Sequence, residues 1–206
     1  MKTIGIMGGT FDPPHFGHLY AAKAAYEAAQ LDHILFIPNG VPAYKTSEGR
    51  VTGKEHRCRM VQRLIAEESW CELSGMECER EGNTYTADTL LELTGENPDI
   101  QYELIVGSDS LKEMKHWYHP EIILQHAVIL ASGRDNIRQD EVELEILRLK
   151  GIYPDADIRK VLLPQIPYSS TMIREYAARH KKISDMVNSN VAEYIEKNRI
   201  YEVKDK

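Results

Sequence analysis

Two histidines and a glycine pair near the start of the chain have the types and spacing to bind phosphate. They lie in the segment Gly8-Gly9-Thr10-Phe11-Asp12-Pro13-Pro14-His15-Phe16-Gly17-His18, which follows an apolar run. The glycines let a ligand approach the backbone, because they carry no Cβ. A helix is predicted to begin near residue 17, so its free N–H groups and positive dipole end face the same space. His15 and His18 are three residues apart and can direct both imidazoles at one anion.

Other chemistries for this segment have less support. A histidine pair can ligate zinc, but no third cysteine, histidine or carboxylate stands at a suggestive spacing. Neither the Walker sequence nor GxGxxG is present, so the segment indicates neither a P-loop kinase nor a Rossmann dehydrogenase.

A second predicted helix start carries a cation. Ser170 in Ser169-Ser170-Thr171 has the character of an N-cap, and Arg174 follows about one turn later. Helical side chains lean toward the N-terminus, so Arg174 can reach an anion that the helix dipole attracts. A plain capped helix with a surface arginine is the alternative.

Polar and aromatic residues elsewhere could complete a ligand site. Gly107 and Asp109 follow an apolar run, where a turn and a carboxylate can hold the hydroxyl groups of a ligand, or the aspartate can cap a helix. Arg134 follows another apolar run and can meet a phosphate or remain solvated. Trp117 stands in a polar stretch, where its indole can offer an aromatic face to a flat ligand, although a core or surface-anchor role is the commoner one.

Apolar runs alternate with helical patterns along the chain. Strands are predicted over 4–7, 33–37, 71–76, 102–106, 127–131 and 160–163. Helices are predicted over 17–29, from a capping box of Thr52 and Glu55 to about 67, over 86–93 and 141–150, after Ser170 and near 191–198. This alternation predicts a doubly wound α/β fold, a parallel sheet with helices on both faces. Without a linker or repeat, residues 1–206 are expected to form one domain, with a small helical C-terminal part from about residue 170.

Composition excludes some functional classes. The chain has 25 basic and 32 acidic residues, a formal charge of −7, which disfavours nucleic acid as a partner. No stretch approaches the roughly 18 apolar residues of a membrane helix. Cys58, Cys71 and Cys78 cannot all pair and include no CxxC, so a reduced cytoplasmic location and a packing role for these thiols are expected.

Motifs along essentially the whole chain resemble those of one family. The segment His15-Phe16-Gly17-His18 is similar to the HxGH motif of a nucleotidyltransferase superfamily. It is followed in the family's order by Ile37-Pro38-Asn39, Pro42, Lys45, Asn83-Thr84-Tyr85-Thr86, Gly107-Ser108-Asp109, Trp117 and Ser169-Ser170-Thr171-Met172-Ile173-Arg174. Together they resemble the bacterial nicotinate-nucleotide adenylyltransferases, with Tyr85, Thr86 and Trp117 indicating this narrower family.

The resemblance implies a Rossmann-like nucleotidyltransferase fold and transfer of AMP from ATP to nicotinate mononucleotide, with deamido-NAD and pyrophosphate as products. It implies catalytic roles for His15, His18, Lys45 and Arg174. The ATP contacts that it implies are Gly8, Gly9, Thr10, Phe11, Gly107, Asp109, Ser169, Ser170 and Thr171. Those implied for the nicotinate nucleotide are Tyr85, Thr86, Trp117 and Arg134. Mg²⁺ is expected to arrive with ATP, without a dedicated metal site.

One departure from the family and several alternatives accompany this interpretation. The family loop reads Pro-Pro-His-Lys, whereas this chain has Pro42-Ala43-Tyr44-Lys45, so the histidine's role is not assigned to Tyr44.

Transfer of AMP to another acceptor, nicotinamide mononucleotide or phosphopantetheine, is one alternative function. A non-catalytic nucleotide sensor is another, which the intact His18, Lys45 and Arg174 disfavour. ATP and nicotinate mononucleotide are the expected partners, with no nucleic acid and no membrane, and a homo-oligomer is left open.

Overall fold

The computed structural model describes residues 1–42, 51–132, 136–162 and 167–202. The strands are β1 (Lys2–Gly9), β2 (His33–Pro38), β3 (Val41–Pro42), β4 (Cys71–Leu73), β5 (Asn83–Thr84), β6 (Ile100–Gly107), β7 (Ala127–Ser132) and β8 (Ile158–Lys160). The helices are α1 (Phe16–Ala28), α2 (Lys54–Leu64), α3 (Met76–Glu79), α4 (Thr86–Glu96), α5 (Ser108–Glu113), α6 (Pro120–His126), α7 (Asn136–Ile152), α8 (Ser170–Ala178) and α9 (Ser189–Lys197), with a 3₁₀ turn at Met114–His116.

Six parallel strands form the main sheet in the order β4-β2-β1-β6-β7-β8. The chain moves outward from β1 in one direction and then returns to the other side of β1 with β6. This reversal defines a topological switch point, where doubly wound sheets bind ligands outside the carboxyl ends of their strands. The predicted fold class is therefore confirmed. Strands β3 and β5 form a separate parallel pair.

Both faces of the sheet are covered, which explains why its central strands are mostly apolar. Along β6, Ile105 faces a core shared with α1, α2, α8 and α9, whereas Leu104 and Val106 face a core shared with α4 and α6. The C-terminal helices belong to the first of these cores, since Ile173 and Ile195 pack in the cluster that contains Phe36. Among the helices of the described ranges, none has the length and apolar character needed to cross a bilayer.

Two predicted helix caps are wrong, and in both cases a long-range contact is the reason. Helix α2 has Gly53 as its N-cap. The backbone N–H of Thr52 donates instead to Asp12, and its carbonyl accepts from Arg57. The N-cap of α8 is Ser169, which accepts from the N–H of Met172, while the predicted cap, Ser170, donates its hydroxyl proton to the Pro13 carbonyl.

The remaining differences concern boundaries and short elements. Strand β4 ends at Leu73 instead of 76, because α3 follows it. Helix α2 ends three residues before 67, and α7 extends beyond both ends of the predicted 141–150. Helices α3, α5 and α6 were not predicted, since segments of four to seven residues carry too little helical periodicity. Strand β8 spans 158–160, whereas 160–163 was predicted, and residue 163 lies outside the described residues.

Candidate active site

A cavity of about 640 Å³ opens at the carboxyl ends of the central strands. Its walls include the end of β1, the end of β6, the first turn of α1 and the segment that enters α4. The cavity therefore lies at the switch point between β1 and β6. Its polar lining residues include Asn39, Glu77, Thr84, Ser108, Asp109, Ser110, His116, Ser132, Tyr168, Ser169 and Ser170.

The two histidines line this cavity side by side at the beginning of α1. Their ring centroids are 3.9 Å apart, and the ring planes are inclined by 34°. The backbone N–H of His15 donates to Nδ1 of His18 over 3.2 Å. Because Nδ1 accepts this bond, a neutral His18 ring carries its proton on Nε2. His18 can thus donate a hydrogen bond to an anion without being protonated a second time.

The glycines before the histidines leave space on one side and are packed on the other. A Cβ on Gly8 would meet no protein atom within 4 Å, so a ligand can approach the backbone there. A Cβ on Gly9 would lie 3.2 Å from the ring of Phe11. That ring is 2% exposed; it packs edge-on against His18 and lies tilted against Phe36. Phe11 therefore supports the loop from the core.

Four chain segments meet at Asp12 and Pro13, directly before the histidines. Arg174 Nη1 donates to the Asp12 carbonyl over 2.7 Å, and Ser170 donates to the Pro13 carbonyl over 2.9 Å. The Asp12 carboxylate accepts from the Thr52 N–H and, over 2.6 Å, from the Tyr201 hydroxyl. Burial and the Asp12 charge raise the pKa of Tyr201, so this phenol remains a donor. These contacts place α8 beside the first turn of α1.

Aromatic and hydroxyl side chains line the other part of the cavity. Tyr85 is the N-cap of α4 without a side-chain cap bond, and Thr86 begins that helix. The ring centroids of Tyr85 and Tyr118 are 4.3 Å apart, and Trp117, the residue before Tyr118, also lines the cavity. Glu77 also lines this region and accepts a 2.8 Å hydrogen bond from Thr89; burial raises the pKa of its carboxyl. The arrangement offers flat apolar surfaces next to N–H and hydroxyl donors.

Comparison with known proteins gives the chain its family. A family model described as Cytidylyltransferase-like matches residues 6–176. A Lachnoclostridium phytofermentans protein named probable nicotinate-nucleotide adenylyltransferase is 42% identical over 201 residues, which are 98% of this chain and 100% of the relative. The chain belongs to the cytidylyltransferase-like family, among its nicotinate-nucleotide adenylyltransferases. A Bacillus mycoides member of the same name is 36% identical over 203 residues, with 98% and 100% coverage.

Solved structures show the same fold. A Plasmodium falciparum nicotinic acid mononucleotide adenylyltransferase complexed with APC has a TM-score of 0.75 at 20% identity, covering 98% of each chain. The same enzyme complexed with NaAD has a TM-score of 0.76 at 19% identity, again with 98% coverage. The Rossmann-like nucleotidyltransferase fold predicted for this family member is thus confirmed.

In this adenylyltransferase family member, a buried arginine connects the loops that follow β1 and β2. This residue was not identified from the sequence. Arg57 is 1% exposed and uses all five of its N–H donors. Nη1 donates to the Thr10 carbonyl and the Asn39 side chain, Nη2 to the carbonyls of Asn39 and Gly40, and Nε to the Thr52 carbonyl. Its position in the sequence could have identified it as buried, because residues 57, 60, 61 and 64 have helical spacing and form the buried face of α2. Only residue 57 of these four is charged.

The structure brings most of the family's expected site residues to one cavity. Those that line it are Gly8, Gly9, His15, His18, Tyr85, Thr86, Gly107, Asp109, Trp117, Ser169 and Ser170. Thr10, Phe11, Thr171 and Arg174 lie behind this lining or beside it, and Arg174 also donates to the Thr171 hydroxyl. Lys45, Tyr44 and Arg134 lie outside the described residues, so their roles stay predictions. Residues that sequence reasoning did not propose include Glu77, Tyr118 and Tyr168.

Proposed function

We propose that this chain transfers the adenylyl group of ATP to the phosphate of nicotinate mononucleotide, forming deamido-NAD and pyrophosphate. The observation that carries the proposal is the His15–His18 pair at the N-terminus of α1, facing a cavity that also contains an aromatic region. The relatives' names support the same reaction. Three unpaired cysteines favour a reducing cytoplasmic location.

The reaction requires alignment and charge stabilisation more than proton transfer. An oxygen of the nucleotide phosphate forms a bond to the α-phosphorus of ATP, and the bond to the bridging oxygen breaks. The electron pair leaves with pyrophosphate. Since the attacking phosphate oxygen is already anionic, no strong base or covalent intermediate is needed.

His18 is the leading catalytic group in this mechanism. Its Nε2–H, defined by the bond from the His15 N–H to Nδ1, donates to the phosphate oxygens on which charge develops. His15 and the first N–H groups of α1 stabilise the same charge. Gly8 leaves room for the triphosphate near the backbone.

Cations and backbone donors are proposed to hold ATP and its leaving group. Arg174 directs two of its donors at Asp12 and Thr171 and has further N–H groups for a phosphate. Lys45 is proposed as a second cation, from the family resemblance. Gly107 and Asp109, at the exit of β6, are proposed to bind the ribose or adenosine.

Mg²⁺ is proposed to enter with ATP as part of the substrate. Triphosphate oxygens are the hard ligands that this ion prefers. Within the described ranges, no three or more histidine, cysteine or carboxylate residues are grouped so that they could hold a metal ion. Phosphate oxygens and water therefore complete its coordination in this proposal.

The acceptor is proposed to bind between the start of α4 and the Trp117 region. Trp117 and Tyr118 offer faces for the pyridinium ring, while Thr86 offers its hydroxyl and its backbone N–H to the carboxylate. An amide in place of that carboxylate would direct its own NH₂ at these donors. The nicotinate form should therefore be the better acceptor, by a factor that approaches about 10⁴ if the pocket excludes water.

Pyrophosphate release tests the proposal. The purified chain is incubated with MgATP and nicotinate mononucleotide, nicotinamide mononucleotide, phosphopantetheine or no acceptor, and kcat/KM is compared on one preparation. We expect release with the nicotinate form at the highest kcat/KM. Equal values for the two mononucleotides would contradict the acceptor assignment alone. Binding of ATP without release with any acceptor would favour a nucleotide sensor.

A further inference from the structure

Two cysteines outside the cavity lining are in direct contact. Cys58 lies on α2 and Cys78 on α3, and their sulfurs are 2.9 Å apart although the residues are 20 positions apart in sequence. Cys78 is buried and Cys58 is partly exposed, so a small reagent reaches Cys58 first. Neither thiol belongs to the proposed adenylyl-transfer machinery.

The surroundings make Cys58 the more reactive of the two thiols. The Cys58 thiol donates to the Cys78 sulfur when both are protonated, and an ionised Cys58 accepts from the Cys78 thiol instead. That hydrogen bond to the thiolate and the nearby Arg57 charge outweigh burial and lower the pKa of Cys58 to about 7. The third cysteine differs: burial and the Glu68 charge raise the pKa of Cys71 to about 12. Cys78 also lies 3.3 Å from the Pro38 carbonyl, which orients its thiol.

We propose that Cys58 and Cys78 form a peroxide-reactive dithiol that closes to a reversible intramolecular disulfide. The Cys58 thiolate attacks one oxygen of hydrogen peroxide, the O–O bond breaks, and hydroxide leaves while Cys58 becomes a sulfenic acid. The Cys78 sulfur then attacks the Cys58 sulfur, and the hydroxyl leaves as water with the Cys78 proton. With hydrogen peroxide, two thiols lose two electrons and yield one disulfide and two waters.

The disulfide protects the protein with little change in its structure. A disulfide has an S–S length of about 2.05 Å, so sulfurs already in contact move by less than about 1 Å to form it. Helices α2 and α3 carry Arg57 and Glu77 next to the cavity, and both keep their packing after so small a movement. The bond also removes the sulfenic acid before a second peroxide can convert it irreversibly to sulfinic acid.

Peptide mapping of the peroxide-treated full-length chain tests the inference. The reduced protein is titrated with hydrogen peroxide, alkylated under denaturing conditions and digested without reductant. We expect a peptide that links Cys58 to Cys78, a fall from three thiols to one, and recovery of three thiols with dithiothreitol. The matched control, Cys71→Ser, should form the same link and fall from two thiols to none.

Removal of the second thiol distinguishes a coupled dithiol from two cysteines that react independently. In Cys78→Ser, Cys58 should accumulate as sulfinic acid at a peroxide dose that leaves the wild-type chain linked and reducible. Cys78→Ala provides the same test if the serine variant folds poorly. Sulfinic acid at Cys58 of the wild type without a link would overturn the proposal. So would links through Cys71 or between chains.

Discussion

Replacement of Arg57 by methionine should destabilise the fold strongly, because one side chain satisfies acceptors from three segments. Methionine fills much of the volume but donates no hydrogen bond, so four backbone carbonyls and the Asn39 amide oxygen lose a donor. A bond to a charged donor contributes about 1.5–3 kcal/mol, but relief of the buried charge and entry of water offset part of the sum of five. A buried acceptor that is left without a donor costs about 1–3 kcal/mol, so several such acceptors give a net loss of about 3–5 kcal/mol after that offset.

We therefore expect the free energy of unfolding of Arg57→Met to fall by about 3–5 kcal/mol and the Tm to fall by about 10 °C. The free energy of unfolding is measured by urea titration monitored by circular dichroism. The matched control is Arg59→Met on the exposed face of the same helix, which should change stability by less than about 0.5 kcal/mol. Arg57→Lys keeps the charge but has only three donors, so its loss of stability should lie between those of Arg57→Met and Arg59→Met. A loss below about 1 kcal/mol for Arg57→Met would refute the reasoning.

Four further perturbations address the site. His18→Ala should lower pyrophosphate release by about 10²–10³-fold without loss of helical circular dichroism, and near-normal turnover would exclude it from catalysis. Arg174→Lys should raise the KM for ATP or lower kcat, because an ammonium cannot form a two-pronged phosphate contact; unchanged kinetics would leave only a charge requirement. Gly8→Ala should raise the KM for ATP with unchanged Tm, whereas Gly95→Ala, also in open space, should change neither KM nor kcat. Burial raises the pKa of Glu77, so the folded protein resists ionisation of this carboxyl. The free energy of unfolding of the wild type, measured by urea titration, should therefore fall relative to that of Glu77→Gln as the pH rises from about 4 towards 7. A difference between the two proteins that does not change with pH would contradict this.

The central strands could be predicted because their environment is the same on both faces. Residues 127–131 are apolar throughout and residues 102–106 are apolar except for the buried Glu103, and helices on each side of the sheet bury both runs. Local signals failed where tertiary contacts competed with them. Thr52 has the spacing of a capping box, but its backbone groups are bound by Asp12 and Arg57, and the N-cap is Gly53, one residue beyond the predicted cap.

The chemistry of the site was likewise predictable only in part. His15 and His18 were identified from a glycine-rich strand exit and a helix start, and both line the cavity. Arg57 could not be assigned a role, because its acceptors come from loops at 10, 39–40 and 52 that only the folded sheet brings together. The contact of Cys58 with Cys78 could not be predicted from the sequence either, because it depends on how α2 packs on α3.

Contacts from the end of the chain help to define the phosphate site at its beginning. Phe11 and Tyr201 have φ angles of 51° and 73°, and left-handed backbone costs about 1–2 kcal/mol for residues with a side chain. Such conformations persist where surrounding contacts over-determine them. Asp12 provides those contacts: its carboxylate binds the Tyr201 hydroxyl, and its carbonyl binds Arg174. The segment that leads into the histidines is therefore fixed by residues about 160 to 190 positions away, so local sequence preferences locate this site but tertiary contacts determine its geometry.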